Sequence, residues 1–441
     1  MKIVHALGWY FPDSVGGTEV YVEGLCRRLR ASGIDVWVAA PDPRRGVPAQ
    51  YEHDGVAVFR YGVPSTPTRD EATHRVAARG SAAFHEWLAQ IRPDFLHVHS
   101  LTTGLGLPEI RAARRLGIRV ILTCHLPSLG YMCRAGELMQ WGTIPCDGIV
   151  DGVKCASCNL TRLGLSRATA ATVASIPVSM SAALQRVPGR LGTALGMVAS
   201  IADYQDKQRE LFDLVDRVVV LNETARTMLA ANGSPREKVI VNRLGLSQPF
   251  VSAKPGPDAQ PTRPPVRFGC VGRIHRVKGL VDLASAVAAL PRTIRFRLEV
   301  RGPRLDADAD EVVHAMQRIL GDDDRISFEP AVAAADVPAA LAALDALVCP
   351  SRWFENGPTV AIEAIAVGTP VIGSRAGNLA ELIADGVNGR LVGVGDVAAL
   401  SRALAEAADD PAGTIDRWRR ALPPARTMDE IAREYVELYA A

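Results

Sequence analysis

The chain begins the same local pattern twice, and that repetition restricts its fold more than any other feature. Lys2 to Leu7 is an apolar strand candidate, followed by the loop Asp13-Ser14-Val15-Gly16-Gly17-Thr18-Glu19, an amphipathic helix over Val20 to Arg30 and a strand over Val36 to Ala40. Val266 to Val271 starts again as a strand. Gly272-Arg273-Ile274-His275-Arg276-Val277-Lys278-Gly279 is then a basic loop, and Leu280 to Leu290 a helix. Short apolar strands alternating with helices form parallel sheets covered on both faces. The expected fold is therefore α/β, with two Rossmann-like doubly wound domains, and 441 residues leave room for a core in each.

The first domain is expected over residues 1–250, with an insertion at about 126–200 where the strand–helix alternation breaks. Ser252 to Pro265 carries Pro255, Gly256, Pro257, Pro261, Pro264 and Pro265, which marks residues 251–265 as a linker. The second domain follows over 266–425, and a final helix over 426–441 is free to pack back on the first. A net charge of +2, with basic residues scattered and no block pairing them with aromatics, argues against nucleic acid as a partner. No run of about 18 uncharged apolar residues occurs, and Met1-Lys2-Ile3-Val4-His5 enters a strand without a signal-peptide core. The expected location is cytoplasmic. Leu160 to Ala199, apolar and weakly basic, leaves peripheral membrane contact open beside plain helix packing.

In doubly wound sheets ligands sit at the carboxyl ends of strands. Two histidines fall there: His99 after the strand Phe95 to Val98, and His125 after Arg119 to Thr123. In the second half, the strand Leu344 to Cys349 runs into Pro350-Ser351-Arg352-Trp353-Phe354-Glu355-Asn356-Gly357-Pro358-Thr359, with Glu363 on the helix that follows. Asn356-Gly357 is turn chemistry, and Pro358 fits a first helical turn, where its missing N–H is not needed. Such a helix start offers free amides to an anion, and Arg273 with Lys278 adds two cations suited to a diphosphate. Asp306, Asp308 and Asp310 alternate in an apparent loop, and Asp322-Asp323-Asp324 reads as a solvated turn. Neither is a metal-binding carboxylate pair at a strand end, so no catalytic divalent metal is expected.

Four of the eight cysteines, Cys133, Cys146, Cys155 and Cys158, fall in a glycine-rich, loop-like stretch with little prospect of a core. In a cytosolic chain such clustering points to metal before disulfides. Cys155-Ala156-Ser157-Cys158 has the two-ligand spacing of tetrahedral thiolate sites. Structural zinc is the first expectation. A 4Fe-4S cluster uses the same four thiolates, and spacing does not separate the two.

Taken in order, Gly16-Gly17, Gly272-Arg273 with Lys278-Gly279, the Glu355 to Glu363 element, Gly368-Thr369-Pro370-Val371-Ile372, Gly377 with Glu381, and Asp385-Gly386 with Asn388-Gly389 make the whole chain resemble a retaining glycosyltransferase of family 4, the GT-B type. The resemblance implies a nucleotide-diphosphate sugar donor in the second domain and a carbohydrate, lipid-linked or small-molecule acceptor presented by the first across a cleft. It implies Arg273 and Lys278 on the diphosphate, Glu363 on the ribose and Glu355 on the donor sugar. Gly16, Gly17, Asn356, Gly357, Pro358 and Thr359 line the substrates, and a histidine, best matched by His125 with His99 second, contacts the sugar. It also implies front-face transfer, the leaving phosphate accepting the acceptor's proton. Two rivals keep the same architecture: a sugar-nucleotide epimerase, and a metal- or redox-responsive binding protein derived from a transferase.

Overall fold

The computed structural model describes residues 1–14, 16–247 and 261–441. Val15 of the first glycine loop and most of the expected linker, 251–260, lie outside the described residues. Contacts divide the chain into two units, Met1–Gly142 with Asp147–Ser247 and Met428–Ala441, and Thr143–Cys146 with Gln248–Thr427.

The first unit is built on one sheet whose strands run, across the sheet, Val239–Val241, Arg217–Val220, Arg119–Cys124, Phe95–Val98, Lys2–Ala6, Asp35–Asp42 and Val56–Gly62, all parallel. Ala49–His53 adds an antiparallel edge. The second unit has six parallel strands in the order Ile326–Glu329, Phe296–Arg301, Val266–Val271, Ala346–Cys349, Val371–Ser374 and Gly389–Val392. Both sheets grow outward from a first strand in opposite directions, the Rossmann arrangement. The order therefore reverses between Lys2–Ala6 and Phe95–Val98 in one unit, and between Val266–Val271 and Ala346–Cys349 in the other.

Burial on both faces explains the near-continuous apolar runs of these strands. In Ala346–Cys349, Ala346 and Val348 join a core with Phe268, Leu298 and Trp418, while Leu347 joins another with Ala361, Ile365 and Val371. Cysteine-bearing residues are less loop-like than expected. Gly152–Arg162 is a helix carrying both Cys155 and Cys158, and Ala156 and Leu160 from it pack with Ala170, Ala174, Met197 and Ile201 into a small core of their own. Alanines at helical spacing supply that core, a signal outweighed in the sequence reading by the neighbouring glycines.

Both acidic stretches are also more structured than expected. Asp306 caps the helix Ala307–Leu320, its carboxylate accepting the Ala309 N–H, so Asp308 and Asp310 lie in a helical first turn. Asp323 is buried and grips Arg325 through both carboxylate oxygens, Nε–Oδ1 3.0 Å and Nη2–Oδ2 2.8 Å. Among the described residues no helix is long and apolar enough to cross a membrane.

Candidate active site

In the second unit, the loops leaving the two central strands carry the expected donor-site residues. Lys278 closes a short 3-10 turn, Arg276–Lys278, and Gly279 starts the helix Leu280–Ala288 with φ +69°. A Cβ on Gly279 would lie 1.9 Å from the Pro350 carbonyl oxygen, so only glycine lets this loop meet the one after Cys349. There, Glu355 is buried. Its Oε1 accepts from Lys278 Nζ at 2.7 Å and from Ser351 Oγ at 2.6 Å. Burial works against the Lys278 ammonium, but Glu355 beside it outweighs that and holds its pKa above the ordinary lysine value. Gly377 also passes close, a Cβ there meeting the Glu355 carbonyl oxygen at 2.4 Å, and the Asn378 N–H donates to that oxygen at 2.7 Å.

Three of the remaining candidates differ in environment. Arg273 is exposed and unpaired among the described residues. Pro358 stands one place before the helix Thr359–Ala366 as its capping residue, rather than inside the first turn. Glu363 is half-buried on that helix, its side-chain carboxyl with no hydrogen bond or ion pair among the described residues, and burial raises its pKa. Asn356 is buried, Gly357 half-buried and Thr359 exposed. Arg352, absent from the sequence reading, forks onto Asp282 at 2.5 and 2.6 Å and so ties the Glu355 loop to the helix after Gly279. Asp308 accepts the Arg276 N–H at 2.9 Å, which pins the basic loop from the other side.

In the first unit, Gly16 precedes and Gly17 begins the helix Gly17–Ala31. His99 and His125 are joined directly, Nδ1 to Nε2 at 3.0 Å. Behind them His5 Nδ1 meets His99 Nε2 at 2.9 Å. His97 is held by the Tyr439 hydroxyl at 2.5 Å and Thr123 Oγ1 at 2.7 Å. His5 and His97 were missed in the sequence reading, although His97 in the strand and His99 just past its end alternate onto one face, and the register sets His5 beside His97.

None of the four cysteines is joined in a disulfide among the described residues; Cys158 is buried and Cys133, Cys146 and Cys155 are half-buried. Cys158 Sγ accepts the Trp141 N–H at 3.1 Å. Burial, and then the charge of the nearby Cys133, push its pKa up. The first unit holds Cys133, Cys155 and Cys158, and the second holds Cys146, whereas the sequence reading kept the whole insertion in the first domain. Among the described residues the one set of three ligand-type side chains with donor atoms within 4.8 Å of each other is His5, His97 and His99, not the cysteines.

Two doubly wound units, one with a basic loop and a helix start at its switch point, have the GT-B architecture. Family comparison agrees. Residues 16–245 match the glycosyl transferase 4-like domain and residues 259–423 the glycosyl transferases group 1 model, and the chain belongs to these glycosyltransferases. It is 27% identical over 430 residues to a D-inositol 3-phosphate glycosyltransferase of Arthrobacter sp. (strain FB24), covering 92% of this chain and 85% of that one. It is also 27% identical over 427 residues to a 2-deoxystreptamine N-acetyl-D-glucosaminyltransferase of Streptomyces fradiae, covering 90% and 84%. Among solved structures, sucrose-phosphate synthase from Thermosynechococcus elongatus superposes with a TM-score of 0.64 at 18% identity, covering 100% of this chain and 98% of that one. Anabaena HepE in complex with UDP-glucose gives 0.61 at 16%, covering 100% and 99%. These two likenesses concern the fold.

Proposed function

We propose that the chain transfers a hexosyl group, with retention of configuration, from a nucleotide-diphosphate sugar to an acceptor hydroxyl without a divalent metal at the reaction centre. One observation carries the reading: Glu363, a half-buried carboxyl with no partner among the described residues, lies on the helix that begins just after the Lys278–Glu355 pair. A carboxylate left unpaired in such a place suits a ligand that brings hydroxyl donors. The ribose of a nucleotide brings two.

Roles follow for the neighbouring groups. Arg273 and Lys278, with the first amides of the helix Thr359–Ala366, neutralise the charge that grows on the departing diphosphate. Glu355 uses Oε1 to hold Lys278 and turns Oε2, which has no hydrogen bond among the described residues, to the sugar being transferred. His125 hydrogen-bonds that sugar, Gly16 and Gly17 admit the acceptor, and the leaving phosphate takes the acceptor's proton. The acceptors in the names of the two relatives, D-inositol 3-phosphate and 2-deoxystreptamine, are the first to try.

The four thiols are proposed to hold a structural metal, zinc first and an iron–sulfur cluster second. Cys155 and Cys158 stand one helical turn apart, and the Trp141 N–H on Cys158 Sγ is the kind of outer bond that steadies a thiolate ligand. A bound metal would fasten the insertion to the rest of the chain and supply no step of the transfer.

The test is a mass-spectrometric screen of nucleotide sugars with and without acceptors, with EDTA present. Acceptor-dependent release of the nucleoside diphosphate and an α-configured product from an α-configured donor is the expected result. Epimerised donor without any acceptor, or turnover that EDTA abolishes and magnesium restores, would overturn the reading.

A further inference from the structure

Three imidazoles form an unbranched chain through the first unit, His5 Nδ1 to His99 Nε2 at 2.9 Å and His99 Nδ1 to His125 Nε2 at 3.0 Å. His5 and His99 are buried, and burial holds all three far below the usual histidine range, His5 and His125 at about 3. Each ring is therefore neutral near pH 7 and carries a single N–H. With one proton per ring, the two bonds must run in the same direction. If His99 bears its proton on Nδ1, it gives to His125 and takes from His5 Nδ1. If it bears the proton on Nε2, both bonds reverse.

The far end of the chain decides between these states. His5 Nε2 is buried and has no hydrogen-bond partner among the described residues. In the reversed state it would be an N–H sealed away from any acceptor, the rarer kind of unsatisfied group. In the other state it is a bare lone pair, and the proton on His5 sits on Nδ1, where it is used. We propose that His5 and His99 are positioning residues that set the tautomer of His125, making it a hydrogen-bond donor through Nδ1 and denying it the role of a base. His125 Nδ1 is the open end, with no hydrogen bond among the described residues. Tyr21 packs edge-on against the same ring at 4.8 Å and limits its rotation.

The histidine group is not arranged as a metal site. Two nitrogens on a tetrahedral zinc, each at roughly 2.0–2.1 Å, lie about 3.3 Å apart, whereas His5 Nδ1 and His99 Nε2 are at a hydrogen-bond distance of 2.9 Å. His97, the third member of that group, already has both ring nitrogens engaged by the hydroxyls of Tyr439 and Thr123.

The functional consequence rests on the reading of His125 as a sugar contact, whereas the tautomer does not, so the two can be tested apart. The experiment is 1H–15N spectroscopy of the full-length chain labelled at histidine, without substrate. The expected result is Nδ1–H on His125 and His99. His5→Phe removes the donor at the chain's end and should give His125 a mixture of tautomers, with a fall in kcat of about tenfold, the loss of one net hydrogen bond, and a smaller change in donor KM. His5→Asn supplies an amide donor and should restore both.

Nε2–H on wild-type His125, an unchanged tautomer in His5→Phe, or a stoichiometric metal on His5, His97 and His99 would overturn the proposal. If His5→Phe does not fold, the wild-type spectrum and His5→Asn still decide. Full kcat in His125→Ala with the expected tautomers would leave the relay standing and remove His125 from the proposed reaction.

Discussion

Glu363 shows how a single side chain can be set against stability and in favour of a ligand. Its pKa is raised above the ordinary 4.5 by burial, so the folded state disfavours the ionised form. That cost is absent below pH 4.5, where the unfolded chain is protonated too, and grows as pH rises towards the folded-state pKa. Glu363→Gln should therefore raise Tm at pH 7 and leave it unchanged at pH 4; an equal effect at both would sink the assignment. Donor affinity should move the other way in wild type, weakening as pH falls through the raised pKa, and calorimetry of Glu363→Gln should show a flat profile.

Among alanine variants, Glu363→Ala should cost about tenfold or more in donor affinity, the loss of hydrogen bonds to a charged group. Arg273→Ala and Lys278→Ala should cost more in kcat, because the leaving-group charge they meet appears only in the transition state. Equal kcat in all three would contradict these roles. Residue types and order made Glu355, Glu363 and Lys278 legible in the sequence. The Lys278–Glu355 bond was not, since 77 positions separate its partners.

At the scale of elements, close approach of loops matters more than the helices they join. Gly279→Ala would place a Cβ 1.9 Å from a carbonyl oxygen in a backbone of φ +69°, and should cost about 2 kcal/mol or more. Thermal denaturation would read it, and donor Kd should rise as the Pro350 loop is displaced. For the helix Gly152–Arg162, Cys155→Ser with Cys158→Ser should abolish zinc or iron in anaerobically purified protein and lower Tm. Absence of both metals from the wild type would refute the site. Sequence patterns located this helix poorly, because surrounding glycines masked the packing of Ala156, Leu160, Ala170 and Ala174. The capping role of Asp306 was hidden for a related reason, since an alternating Asp run looks like a loop until the helix behind it exists.

The last helix, Met428–Ala440, belongs to the first unit although it follows the second in sequence. It buries Met428, Ile431, Tyr435 and Tyr439, each side chain of that kind worth roughly 1.5–3 kcal/mol. Their sum rivals the total stability of a typical domain, about 5–15 kcal/mol. Deleting residues 428–441 should leave the first unit open to proteolysis and hydrophobic dye while residues 261–427 stay protected; a protected first unit would show that the helix is dispensable.

By itself the sequence determined the twice-started strand–helix alternation, the expectation of two doubly wound domains, and the loops at strand ends that carry the candidate residues. Those depend on local periodicity, glycine and proline, which act over a few residues. Only the tertiary structure decided which side chains share a bond. The chain from His5 to His99 to His125, the anchoring of His97 by Tyr439, and the Lys278 grip on Glu355 join positions 26 to 342 residues apart. Such pairs arise from strand order and register, which no local pattern encodes.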